Sequence, residues 1–132
     1  MSRRKRRRNE RDAEKRQELK HKRASLRYLR IAPRKVRAVA DTIRGRRVED
    51  ALAILDFTRR SAAEPLARML RGALANAANS DNIDVDTLRV REIHVDQGPT
   101  IKRYRPRAMG RATLVQKKTS HVWLVLDDEG EA

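Results

Sequence analysis

The sequence contains no cysteine. That excludes disulfides, thiolate zinc sites and a cysteine nucleophile, and it fits a reducing compartment. No run approaches the roughly 18 apolar residues of a membrane-spanning helix. The N-terminus lacks the apolar centre of a secretory signal. A transit peptide is not expected either, because such segments avoid acids, whereas Glu10, Asp12, Glu14 and Glu18 interrupt the early arginines. Aromatic residues are scarce. One Trp and one Phe lie far apart, which is too few for the apolar face of a basic helix lying on a membrane. No membrane partner is therefore expected.

The residues that carry catalysis are equally thin. His21, His94 and His121 are the only histidines. His94 and Asp96 stand two apart and share a strand face, but no further ligand clusters near them. Asp81, Asp84 and Asp86 do not match a calcium-loop spacing. Ser120 and His121 are adjacent, with no carboxylate placed to orient the imidazole. A nuclease would need several convergent carboxylates to hold metal, and no glycine-rich phosphate loop precedes a helix. The expectation is a protein with no active site, no metal, no cofactor and no small-molecule substrate.

What the sequence has is positive charge. The formal net charge is +15 over 132 residues, with a pI near 11.3. A folded core gains nothing from that self-repulsion, so a polyanionic partner, nucleic acid above all, is implied. Hydrophobic and charged residues each make up 39%. That allows one modest core and leaves much of the length for surface, arm or tail. Residues 1–23 read as a basic N-terminal extension, disordered when free and able to become helical on binding. Residues 24–126 read as a single domain, and residues 127–132 as a solvated acidic tail.

Within the domain, residues 24–31 alternate weakly and read as a strand ending before Pro33. Val36, Val39, Ala40 and Ile43 make an i, i+3, i+4, i+7 stripe, predicting a helix over 33–43 with Pro33 at its start and Gly45 as its stop. Arg34, Lys35 and Arg37 crowd its first turn, where the helix dipole disfavours cations. That conflict points to phosphate contact. Val48, Ala51, Leu52 and Leu55 predict a second helix over 49–57, with Arg46 and Arg47 in the connection before it. A third helix is predicted from Ser61, where Ser61 and Glu64 match a capping box. Its stripe runs through Leu66, Met69, Leu70, Ala73, Leu74 and Ala77 to a stop at 79–82. A strand follows over 87–96. Its inward phase switches between Val90 and Ile93, which predicts a bulge near Glu92. Val122 to Leu126 is apolar on both faces, so that strand is expected to be central in a sheet.

Between these two strands the chain has no Asp or Glu from Gln97 to Leu126. The segment reads as a long hairpin over about 88–126 with a basic, poorly packed tip. Lys102, Arg103, Arg105, Arg107 and Arg111 line the tip, with Lys117 and Lys118 on the return. Alternation places cations on both faces of the ribbon, which suits insertion between anionic walls. An arm of roughly fifteen residues would extend on the order of 50 Å. Arginine forks suit phosphates and stack on bases, and Tyr104 is a further stacking group.

Three motif series now stand together. They are Val95-Asp96-Gln97-Gly98-Pro99, Lys102-Arg103-Tyr104-Arg105-Pro106-Arg107-Ala108-Met109-Gly110-Arg111, and Lys118-Thr119-Ser120-His121-Val122. Together with Ala32-Pro33-Arg34-Lys35-Val36-Arg37 and Ala75-Asn76-Ala77, they closely resemble the bacterial-type large-subunit ribosomal protein twenty-two family, over about residues 24–126. The resemblance implies an α+β fold, three helices packed on a three-stranded antiparallel sheet, with a long extended hairpin beside the basic N-terminal tail. It implies a structural role in the large ribosomal subunit, in the cytoplasm. The implied partners are large-subunit RNA, neighbouring large-subunit proteins and the nascent polypeptide.

By this resemblance the hairpin tip, from Lys102 to Arg111, would line the peptide exit tunnel near its constriction. The RNA-binding set would be Arg34, Lys35, Arg37, Arg46, Arg47, Lys102, Arg103, Arg105, Arg107, Arg111, Lys117, Lys118 and His121. Two features depart from the family pattern: the length of the N-terminal extension, and Trp123, which stands where a smaller residue is common. A general nucleoid-type nucleic-acid-binding protein is the alternative reading, and an RNA-processing enzyme a third.

Overall fold

Three apolar helical stripes and one two-faced strand determine how the chain folds. The computed structural model describes residues 3–79 and 84–128. Helix α2, Pro33–Ile43, follows a residue with extended φ/ψ and carries proline at its start. Proline fits there because the first helical N–H has no intrahelical acceptor. Val36, Val39, Ala40 and Ile43 are all buried, and Gly45 takes φ 75° two residues beyond the end. Helix α3, Val48–Phe57, buries Val48, Ala51 and Leu55. Helix α4, Ala63–Ala78, buries Leu66, Leu70, Ala73 and Ala77. Each large aliphatic side chain buried in this way contributes about 1.5–3 kcal/mol.

The expected capping box does not form. Helix α4 starts at Ala63 with Ala62 before it, no side-chain cap is made, and Glu64 instead pairs with Arg68 at 3.1 Å. The helix needs no such cap. The Ala63 N–H finds Arg60 O at 3.0 Å, and Pro65 occupies a first-turn position whose N–H would have no intrahelical acceptor anyway. The predicted stop at 79–82 lies partly outside the described residues, and the helix itself ends at Ala78 with Asn79 at its C-cap.

The sheet has three antiparallel strands in the order β1-β5-β2. They are β1 Arg23–Leu29, β2 Leu88–Gln97 and β5 Ser120–Asp128. The strand that is apolar on both faces, β5, is the central one. Its Val122, Leu124 and Leu126 meet Leu88, Val90, Ile93 and Val95 of β2 in one core under the three helices. The phase switch in β2 is resolved by a bulge. Val90 pairs with Leu126 and Glu92 with Val125, so Arg91 is the extra residue and both halves of the strand face the core.

A second irregularity lies in β1 between Leu26 and Leu29. There Tyr28 adopts φ 57° and gives its N–H to Nδ1 of His121 at 3.1 Å. The strand ends at Leu29, because Ile31 N–H turns back to Leu29 O at 2.8 Å. The free edge of β2 is partly covered by the α2–α3 connection. Val90 N–H donates to Arg46 O at 2.9 Å, and Gly45 N–H donates to Val90 O at 3.0 Å.

Two ends of the chain differ from expectation. Arg3–His21 is a helix, α1, so the described residues hold four α-helices rather than three. No apolar stripe announced it. At the other end β5 runs two residues into the expected tail. Asp127 is buried and lies 3.5 Å from Arg91, and Asp128 takes the buried Lys22 ammonium at 3.0 Å. Residues 129–132 lie outside the described residues.

Candidate nucleic-acid interface

The hairpin forms its own two-stranded sheet, β3 Ile101–Pro106 and β4 Ala112–Lys117. The tip is a single 3-10 turn over Ala108–Gly110, closed by Arg107 N–H to Arg111 O at 2.7 Å. Met109 and Gly110 both take left-handed backbone, φ 60° and 68°, which lets so short a turn reverse the ribbon. All ten residues proposed for the tip, Lys102 to Arg111, are exposed. Met109, in the tip turn, is 95% exposed.

Register determines what each face carries. Arg103 opposes Val115, Arg105 opposes Thr113, and Ile101 opposes Lys117. Opposed residues share a face, so one face bears Arg103, Arg105 and Lys117. The other bears Lys102, with Tyr104 against Leu114 and Gln116 opposite Lys102. Both faces hold cations, but unequally. One face is strongly basic, while the other has a single lysine beside an exposed Tyr104–Leu114 patch, 73% and 43% exposed. Among the described residues, no hydrogen bond or ion pair engages the side chains of Lys102, Arg103, Arg105, Arg107 or Arg111.

The root of the arm is built with more bonds than its tip. Gly98 N–H donates to Thr119 O at 2.9 Å. The buried Thr119 hydroxyl donates to Pro99 O, and the fully buried Ser120 hydroxyl donates to Ile31 O, each at 2.6 Å. A Cβ added at Gly98 would stand 2.5 Å from Thr119 Oγ1 and 3.2 Å from His121 Nε2, so only glycine fits this crossing. Beyond the last sheet pair, Gln97 with Ser120, the arm reaches about 35 Å at roughly 3.3 Å per residue. That is shorter than expected, because the first half of the hairpin is spent in the three-stranded sheet.

The remaining candidates fall into two groups. Arg34, Lys35, Arg46, Lys117 and Lys118 are exposed, with no side-chain partner among the described residues. Three others are engaged within the protein. Arg37 gives Nε and Nη2 to Val95 O at 3.2 and 3.0 Å, and Arg47 gives Nη2 to Asp86 O at 3.0 Å. His121 accepts the Tyr28 N–H and sits edge-on to the Tyr28 ring at 4.8 Å. Arg44, absent from the sequence-derived set, likewise holds Ile93 O at 2.9 Å. Sequence marks all of these as basic side chains, and only the tertiary contacts separate those engaged within the fold from those that face outward. Arg30 was also missed. It lines a cleft with Lys35, Lys117 and Lys118, and its one sequence signal is a cation just before the Pro33 helix start.

Trp123 stacks on His94 across the outer sheet face, with centroids 4.1 Å apart. Its ring is thus packed on a cross-strand neighbour, away from the core. No cluster of three or more His, Asp or Glu gathers among the described residues, and no described helix is long and apolar enough to cross a membrane.

Fold and site define a class, a small α+β body carrying a stiffly rooted basic arm. The family model described as "Ribosomal protein L22p/L17e" matches residues 24–127, and the chain belongs to that family. A protein of Desulfitobacterium hafniense (strain DSM 10664 / DCB-2), "Large ribosomal subunit protein uL22", is 54% identical over 108 residues, covering 82% of this chain and 95% of the relative. Proteins described in the same words from Anaeromyxobacter sp. (strain K) and Myxococcus xanthus (strain DK1622) are 59% and 55% identical. They cover 78% of this chain in each case, and 71% and 92% of their own lengths.

Proposed function

We propose that this chain is a structural protein of the large ribosomal subunit, acting in the cytoplasm within that particle, and not an enzyme. The observation that carries the reading is family membership across residues 24–127. Net charge of +15 and an arm of unengaged cations support ribosomal RNA as the main partner, with neighbouring ribosomal proteins around it. The nucleoid alternative is not favoured, because nothing beyond charge supports it. In the finer reading, the tip residues Lys102 to Arg111 line the exit tunnel and face the nascent polypeptide. A narrow ribbon with one basic face and one Tyr104–Leu114 face suits a site with RNA on one side and a passing peptide on the other. Tagged protein should co-sediment with large subunits at low and moderate salt. A chain that stays at the top of the gradient at both would overturn the proposal.

The chain divides, on this reading, into a body with its arm and a basic extension of residues 1–23. The family match begins after that extension. In α1, Arg4 and Arg8, and Arg7 and Arg11, stand at i,i+4 spacing, where each like-charge pair costs about 0.2–0.5 kcal/mol. RNA phosphates would remove that cost and so stabilise α1. Circular dichroism of the chain should show helicity rising when inorganic polyphosphate is added. An unchanged spectrum would count against ordering by a polyanion.

A further inference from the structure

The root of the arm meets the body in a cleft of about 510 Å³ whose ionisable lining is entirely cationic. Four separate stretches contribute to it. Arg30 comes from the turn after β1, Lys35 from the first turn of α2, Ser61 from the α3–α4 connection, and Lys117 with Lys118 from the end of β4 and the residue beyond it. No acid lines it, and the first turn of α2 contains none. Among the described residues, the side chains of these four cations have no hydrogen-bond or ion-pair partner.

Four cations held around one concave space repel one another, and no ion pair of a described residue offsets them. Here chain segments as distant as 30 and 118 bring them together, and they converge where the arm leaves the sheet. An ammonium is a compact point charge suited to phosphate oxygens, and a guanidinium and a hydroxyl add directional donors. A cleft that is open, basic and without aromatic lining suits a backbone phosphate better than a base.

We infer that this cleft is a phosphate clamp. It receives the RNA backbone between the arm root and the α2 start, and so fixes the arm's direction to the RNA as well as to the body. The inference rests on the ribosomal reading above. It adds Arg30 and Ser61 to the RNA-contacting residues, and it separates anchoring at the root from contact at the tip.

The test uses the full chain and large-subunit ribosomal RNA. Lys35, Lys117 and Lys118 are changed together to Gln, and a control variant changes Arg27, Arg59 and Arg60, which are exposed and outside the cleft. Because the protein has no cysteine, Thr113→Cys can carry a single tethered iron chelate near the tip that cuts nearby RNA. Both triple variants should melt like the parent. The cleft variant should lose at least about tenfold in affinity at moderate salt, its log–log salt slope should become shallower by about two to three, and its tip-directed cuts should scatter. The control should lose less and keep focused cuts.

Equal losses in the two variants, or focused cuts in the cleft variant, would overturn the clamp while leaving the ribosomal reading intact. Failure of the parent to prefer ribosomal RNA over duplex DNA would overturn both. Saturation of the Lys35 and Lys118 amide shifts by micromolar inorganic phosphate would mark a free-anion site and overturn the RNA assignment.

Discussion

At the scale of single residues, two glycines illustrate opposite constraints. Gly98 lies where the hairpin strands cross. An added methyl would meet Thr119 Oγ1 at 2.5 Å, and that oxygen cannot swing aside without releasing Pro99 O. Gly98→Ala should therefore destabilise the fold by about 1–3 kcal/mol, the usual cost of overpacking. Gly72 lies inside α4 with open space where its Cβ would be. Gly72→Ala should stabilise by about 0.5–1 kcal/mol, since glycine is a poor helix former. Denaturant unfolding of both variants checks the pair, and the signs should differ. Two glycines that look alike in the sequence are distinguished by what their missing Cβ would touch.

At the scale of elements, Lys22 and Arg23 are tied to the last strand of the sheet. Lys22 O accepts Leu126 N–H at 2.8 Å, and its buried ammonium pairs with Asp128. Arg23 already pairs with Val125. Removing residues 1–20 should leave the unfolding midpoint nearly unchanged. Removing 1–23 should lower stability by about 1–3 kcal/mol, through a lost strand-end bond and a partly buried acid left without its partner. Thermal melts of the two truncations check this. The elements legible in the sequence were those with a period. Helix α2 was readable to its ends from its stripe, Pro33 and Gly45. The β2 bulge was readable because Val90 and Ile93 fall in opposite phases, and the central place of β5 because both its faces are apolar. What stayed hidden depends on contacts distant in sequence. Helix α1 has no stripe to read, the Ser61 cap was superseded by a helix starting later, and the engagement of Arg37 and His121 rests on partners 58 and 93 residues away.

At the scale of the whole molecule, stability and function reside in different parts. The body holds the core, and the arm beyond Lys102 holds almost none of it. Changing Lys102, Arg103 and Arg105 together to Ala should leave the melting temperature of the free protein within about 2 °C, because surface changes away from packed features usually cost under 0.5 kcal/mol. The same variant should bind ribosomal RNA with a log–log salt slope shallower by about two to three. Calorimetry and filter binding at several salts check the two halves, and a large fall in melting temperature would show that the arm supports the body. The buried Ser120 hydroxyl on Ile31 O then has a mechanical meaning. It makes a fulcrum inside the fold for a lever about 35 Å long. A rotation of only about 5° there would sweep the tip through roughly 3 Å, the span of a hydrogen bond. A change at the buried Ser120 would thus reach the tip enlarged, and the aim of Met109 depends on its bond to Ile31 O.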